Sequence, residues 1–309
     1  MDKIAFVFSG QGSQFEGMGK DLYDEFSVVK NLFDEASSIK PDIKDICFSA
    51  SKEELSLTIN TQPAMFVFES AIARLLEQNG ILPDCVAGFS MGEVAALCFA
   101  GAYDFTSGLD FTLFRAKVMD DCASENPGKM AAILKLDSKL VSGICAKYDD
   151  CWAVNFNCPG QTVISGCEAS IKAVIEEVSG LKGRAVMLSV SGAFHSPYME
   201  KAGCEVAGYL ENISIGNLRL PVYVNISGKP SLDIGIKQIM SKQISSPVLW
   251  SETIENMILD GVKIFVEIGP GKVLSGLIKK INPDVEILNI QDVNSYRESM
   301  EILLEKSRS

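Results

Sequence analysis

A serine set between two glycines, together with a single histidine, is where this sequence could do chemistry. Gly88-Phe89-Ser90-Met91-Gly92 has the spacing Gly-x-Ser-x-Gly, which forms a nucleophile elbow when a strand runs into it and a helix leaves it. The glycines allow the sharp turn and the turn projects the Ser90 hydroxyl. The N–H of Met91, at the helix start, then points at the oxyanion of an acyl-transfer intermediate. A serine hydroxyl is a weak nucleophile at neutral pH and needs a base, usually an imidazole. The chain has one histidine, His195, within Gly192-Ala193-Phe194-His195-Ser196-Pro197. A lone histidine is more often structural than catalytic, but a histidine-activated Ser90 has no other base to use.

Ser9-Gly10-Gln11-Gly12-Ser13-Gln14 follows the first apolar run and raises the question of nucleotide binding. A dinucleotide fingerprint needs a third glycine where Phe15 stands. A phosphate loop needs glycine in place of Gln14 and Ser or Thr in place of Asp21, so both nucleotide readings fail. What remains is a loop whose amides complete an oxyanion hole, or a plain connecting turn. Arg115, in Leu113-Phe114-Arg115-Ala116-Lys117-Val118-Met119, is a solvated helix residue unless the substrate carries a free carboxylate. In that case its guanidinium fork can take the carboxylate in two parallel hydrogen bonds.

The elements that must position these residues alternate short β-branched or aromatic runs with helical stretches, the pattern of a mostly parallel sheet covered by helices. Ile4 to Phe8 and Cys85 to Phe89 are expected strands, the second running into the serine, with a helix from Glu93 to Ala100 after it. Val222 to Asn225 and Ile264 to Ile268 are further expected strands, the latter breaking at Gly269-Pro270-Gly271 into a helix from Val273 to Lys280. Between them the rhythm changes to strand (Met130 to Leu136), helix (Ser138 to Lys147), strand (Trp152 to Phe156), strand (Thr162 to Ser165), helix (Glu168 to Ser179) and strand (Arg184 to Ser189). That βαββαβ order is the ferredoxin-like unit, inserted in an α/β pattern that resumes afterwards. The expected organisation is a large subdomain of residues 1–124 and 192–309 with a smaller one of residues 125–191, and the groove between them is a natural ligand site.

The chain has 309 residues, 47% of them hydrophobic and 22% charged, an ordinary globular balance. Its net charge of −12 argues against nucleic acid as a partner, since phosphate binding needs a basic surface. The longest apolar stretch, near Val94 to Tyr103, is too short to span a bilayer, and the start at Met1-Asp2-Lys3 is unlike a secretory leader. A cytoplasmic protein with no membrane association is expected. Nine cysteines, none spaced Cys-x-x-Cys, support free thiols rather than a disulfide framework or a zinc site. No metal is expected, and the lack of a long exposed heptad pattern makes a monomer the simple expectation.

Taken together the motifs resemble malonyl-CoA:acyl carrier protein transacylases, nearly end to end. The likeness rests on Phe8 to Gln14, Thr61-Gln62-Pro63-Ala64, the Ser90 elbow, Arg115 with Lys117, Asn155-Phe156-Asn157-Cys158-Pro159-Gly160-Gln161, Gly192 to Ser196, Ser246-Pro247-Val248-Leu249-Trp250 and Glu267 to Gly271. The resemblance implies an α/β-hydrolase-like core with the ferredoxin-like insertion. It implies a ping-pong reaction in which Ser90 takes malonyl from malonyl-CoA and the phosphopantetheine thiol of acyl carrier protein removes it, serving fatty-acid or polyketide synthesis with no cofactor beyond the coenzyme A thioester. His195 would be base and then acid, oriented by a main-chain carbonyl near Gln243. The amides of Gln11 and Met91 would hold the oxyanion and Arg115 the malonyl carboxylate. Gln62 would lie in the substrate pocket, Asn155 and Asn157 would line the cleft near coenzyme A, and Phe194 would follow the malonyl-preferring pattern. Lys272, Lys279 and Lys280 are candidates for a basic patch that docks the carrier.

One departure stands out: Phe89 occupies a position that is commonly histidine in the family, so pocket polarity can differ, while Met91 for leucine conserves volume. Two other readings compete. A serine hydrolase of similar architecture, such as one that clears misloaded carrier proteins, would have no use for a buried guanidinium at Arg115. A non-catalytic carrier-docking scaffold would have no need of Ser90, His195 and both elbow glycines.

Overall fold

Runs rich in β-branched and aromatic residues become strands in the computed structural model, which describes residues 2–190, 192–231 and 235–307. The described strands are β1 (Lys3–Phe8), β2 (Cys85–Gly88), β3 (Lys129–Leu134), β4 (Cys151–Cys158), β5 (Gln161–Gly166), β6 (Arg184–Met187), β7 (Val222–Tyr223), β8 (Val262–Ile268) and β9 (Glu286–Ile290). Five of them form a parallel sheet in the order β7-β2-β1-β8-β9. In β1, Phe6 and Phe8 face one apolar cluster and Ala5 and Val7 the cluster on the opposite side. Burial of both faces is why this strand is continuously apolar rather than alternating. Helices Thr58–Gln78, Met91–Phe99 and Phe105–Glu125 cover the Phe6 face, and Trp250–Leu259 with Val273–Ile281 cover the other.

The remaining four strands make an antiparallel sheet ordered β4-β5-β3-β6. With helices Ser138–Cys145 and Glu168–Gly180 between them, this is the ferredoxin-like arrangement. Alternation on β3 explains its placement: Ala131 and Ile133 pack under the two helices, while Met130 and Ala132 turn to the main core. A bridge between Pro127 and Gly192 marks where the chain leaves and rejoins the parallel sheet. Ser191, the last residue of the expected insertion, lies outside the described residues.

Several element ends differ from the sequence-based expectation, and two differences matter for the site. The helix after the elbow begins at Met91, not Glu93, so Ser90 itself is the N-cap residue. Strand β7 stops at Tyr223, so Asn225 lies beyond the ladder with its backbone free to bond elsewhere. Strand β9 and the helix Thr58–Gln78 that carries Gln62 were not anticipated, the helix because Pro63 sits inside it. Among the described residues no helix is long and apolar enough to cross a membrane.

Both elbow glycines are required by close backbone approach. A Cβ on Gly88 would fall 2.0 Å from the Gly92 carbonyl carbon, and one on Gly92 would fall 2.3 Å from the Phe8 carbonyl oxygen. Since neither neighbour is the end of a flexible side chain, Gly92→Ala is expected to cost about 3 kcal/mol of unfolding free energy. Chemical denaturation measures it, and an unchanged midpoint would show that the strand–helix crossing is looser than described.

Candidate active site

Strand β2 delivers the chain to Ser90, which adopts φ 52° and ψ −104° before the helix starts at Met91. A non-glycine residue at positive φ is strained, and the surrounding structure must hold it there. The turn aims the hydroxyl at the imidazole of His195, whose Nε2 lies 2.7 Å from Ser90 Oγ. On the far side of the ring, Nδ1 meets two main-chain carbonyl oxygens, Gln243 at 3.0 Å and Ser246 at 3.1 Å. Carbonyls only accept, so Nδ1 carries the proton and Nε2 presents a lone pair to the serine hydroxyl. His195 is 4% exposed, and burial, with the Arg115 charge second, lowers its pKa to about 4 against the pull of the two carbonyls. The imidazole is therefore neutral across the physiological range.

Arg115 projects from the helix Phe105–Glu125 into the same space and is 1% exposed. Its Nη1 donates to Gln62 Oε1 at 2.6 Å and its Nη2 to Gln243 Oε1 at 2.9 Å. Neither is a charged partner. Burial lowers the Arg115 pKa to about 10, a shift that Glu93 opposes once it ionises, so the guanidinium remains a cation at neutral pH. Gln243 joins the site in three ways: its side-chain oxygen accepts from Arg115, its side-chain nitrogen donates to Ser90 O at 2.7 Å, and its main-chain oxygen holds His195.

Ser90, Met91, His195, Arg115, Gln62, Gln11, Phe194 and Asn155 all border one cavity of about 80 Å³. The Met91 and Gln11 amides have no intramolecular acceptor among the described residues, so both are free to meet an oxyanion. The loop that carries Gln11 is tied at its root, where Ser9 Oγ donates to the buried Glu267 at 3.2 Å. That carboxylate also accepts the Leu274 and Ser275 amides at the next helix start. A second cavity of about 180 Å³, sharing Gln11, Phe89, Asn155 and Leu188 with the first, continues outward past Asn157 and Gln161 between the two sheets. Asn155 Oδ1 and Asn157 Oδ1 are buried there without hydrogen-bond partners. Phe89 packs edge-on against Trp250, with ring centroids 5.5 Å apart.

The residues named from sequence thus converge, with differences of detail. Lys117 points away and pairs with Asp121. Of the three helix lysines only Lys280 reaches the cleft, 3.3 Å from Gln161 Oε1, whereas Lys272 and Lys279 border a separate groove against the C-terminal helix. Asn225, Glu93 and the side chain of Gln243 were missed. No motif signals them, because each acts through a partner far away in the chain.

No group of three His, Cys, Asp or Glu able to hold a metal occurs among the described residues. Residues 5–294 match the family model described as the acyl transferase domain. The malonyl CoA-acyl carrier protein transacylase of Bacillus subtilis (strain 168) is 38% identical over 315 residues, covering 99% of both chains. That of Synechocystis sp. is 38% identical over 298 residues, covering 95% of this chain and 99% of its own. Among solved structures, a malonyl CoA-acyl carrier protein transacylase from Clostridium perfringens superposes with a TM-score of 0.95 at 36% identity, covering 99% of this chain and 98% of the other. A malonyl-transacylase in complex with its type II PKS acyl-carrier protein superposes with a TM-score of 0.92 at 34% identity, covering 97% and 99%. A strained serine elbow with a carbonyl-held histidine, and likeness running the length of the chain, lead to one conclusion: this protein belongs to the acyl transferase domain family.

Proposed function

We propose that the protein transfers malonyl from malonyl-CoA to the phosphopantetheine thiol of an acyl carrier protein through a malonyl ester on Ser90, in fatty-acid or polyketide synthesis. The observation that carries this reading is the cation of Arg115, buried beside the nucleophile with only amide oxygens as partners. A buried charge without a counter-ion is costly, and a substrate carboxylate in that cavity supplies the missing partner. Acetyl and longer saturated chains do not. The names of full-length relatives point the same way.

In the first half-reaction Ser90 Oγ attacks the thioester carbon as its proton passes to His195 Nε2. The oxyanion is received by the amides of Met91 and Gln11, and the imidazolium, held by the carbonyls of Gln243 and Ser246, returns the proton to the departing coenzyme A sulfur. In the second half-reaction the carrier's thiol gives its proton to the same nitrogen and attacks the ester, and Ser90 leaves with that proton. The thioester is itself the activated substrate, so the reaction calls for no cofactor.

Both substrates end in a pantetheine arm, and on this reading the arm runs along the outer cavity past Asn155, Asn157 and Gln161. The unpartnered oxygens of Asn155 and Asn157 at its lining support this reading, as acceptors for the arm's amide N–H groups. Lys280 at the rim offers a charge to the phosphate at the arm's outer end. Phe194 closes the acyl end beside His195. A monomer working in the cytoplasm fits this chemistry, and nine free cysteines fit a reducing compartment.

Two outcomes test the reading. Because the base form of His195 is required and its pKa is lowered to about 4, kcat/KM for malonyl-CoA is expected to rise with pH through about 4 and stay level from about 5.5 to 8. An acid limb centred near 6.5 in steady-state kinetics would contradict this. Arg115→Ala removes about 3–4 kcal/mol of charge-assisted hydrogen bonding to the carboxylate, so kcat/KM for malonyl-CoA should fall roughly 10²–10³-fold while acetyl-CoA turnover is unchanged or improved. An equal fall with both donors would make Arg115 a structural residue.

A further inference from the structure

Something must hold Ser90 at φ 52°, and the elbow's own glycines only permit that conformation. Asn225, just past β7, is fully buried and turns both ends of its side-chain amide on this turn. Its Oδ1 accepts the Ser90 N–H at 2.7 Å and its Nδ2 donates to the Gly88 carbonyl at 2.6 Å, so one side-chain amide clamps the residues on either side of Phe89. Its own N–H donates to Glu93 Oε2 at 2.6 Å, one helical turn beyond the nucleophile, and its carbonyl accepts the Leu249 N–H at 2.9 Å. Glu93 is buried too, and its second oxygen has no partner. An acid sunk in the first turn of an apolar helix costs stability unless it serves something, and the short hydrogen bond it accepts is from the Asn225 N–H.

We propose that Asn225 is a positioning residue of this enzyme: it imposes the strained backbone of Ser90 that aims Oγ at His195 and the Met91 amide at the oxyanion, and Glu93 anchors it. This deepens the reading of Ser90 as nucleophile. Neither residue borders the acyl cavity with Ser90 and His195, so the effect of losing them falls on turnover and not on binding. Burial pushes the Glu93 pKa up to about 8, against the Asn225 N–H and the Arg115 charge, so its neutral acid form already serves as acceptor at pH 7. A glutamine there can do the same.

The test compares Asn225→Ala, Glu93→Gln and Glu93→Ala with the unaltered protein, by malonyl-CoA kinetics, thermal unfolding and the rate of Ser90 labelling by a fluorophosphonate. A displacement of about 1 Å at a reacting atom costs on the order of 10²-fold in rate. Asn225→Ala is therefore expected to lower kcat and the labelling rate roughly 30- to 100-fold, with KM for malonyl-CoA within about threefold. Glu93→Gln should stay within about threefold of the unaltered kcat, and Glu93→Ala should fall about tenfold or more below it. The proposal is overturned if folded Asn225→Ala keeps kcat within threefold, if KM alone changes, or if the two Glu93 variants turn over alike. Should Asn225→Ala not fold, the Glu93 pair decides. Labelling needs an activated serine and no malonyl group, so a protein that labels normally but never loads malonyl would sink the proposed function and leave this inference to be judged on labelling rates.

Discussion

A guanidinium removed from water and left with neutral partners constrains everything around it. Arg115 cannot shed its proton at physiological pH, and the amides of Gln62 and Gln243 solvate it without cancelling its charge. The consequences spread outward. Its field adds to burial in keeping His195 neutral, the form a general base must have. It leaves the small cavity beside Ser90 electrostatically unfinished, so the cavity favours an acyl group with a carboxylate at its end over one without. A single buried charge thus tunes the base and, on the proposed reading, selects the substrate.

Gln243 converts that charge into geometry. Through its two side-chain atoms it links Arg115 to the Ser90 carbonyl, and through its own carbonyl it fixes the imidazole. Arg115, Ser90 and His195, which come from three separate segments, therefore share one residue, the last of the helix Ile236–Gln243. In an aspartate-based triad the imidazolium is stabilised by a full negative charge. Here two carbonyl dipoles do that work, consistent with a thiol chemistry whose leaving group and incoming nucleophile are more acidic than an alcohol.

The sequence disclosed the residues whose type is rare or whose spacing is tight, and concealed those that act through long-range contacts. Ser90 was legible because two glycines and a strand signal surround it, and His195 because it has no rival. The βαββαβ order was legible from the succession of short strand and helix runs, whereas the sheet order β4-β5-β3-β6 depends on long-range pairing that no local run displays. Asn225 carries no such signal: asparagine after a short strand suggests a turn, and its partner Ser90 is 135 residues away. Glu93 in an apolar helix looks like a solvated acid until the helix is found buried on every side. The early start of that helix was hidden for a related reason. Gly92 disfavours helix on its own, and only its contact with the Phe8 carbonyl shows why glycine must be there.

The central claim, a malonyl ester on Ser90 that moves to a carrier thiol, is tested most directly by intact-mass spectrometry. The protein is mixed with malonyl-CoA or acetyl-CoA, the adduct is mapped by proteolysis, and phosphopantetheinylated acyl carrier protein is then added. The account predicts one malonyl group on the peptide containing Ser90, little or no acetyl loading, and disappearance of the adduct as the carrier gains the same mass. Acetyl loading equal to malonyl, or an adduct lost to water while the carrier stays unmodified, would contradict it and favour a hydrolase.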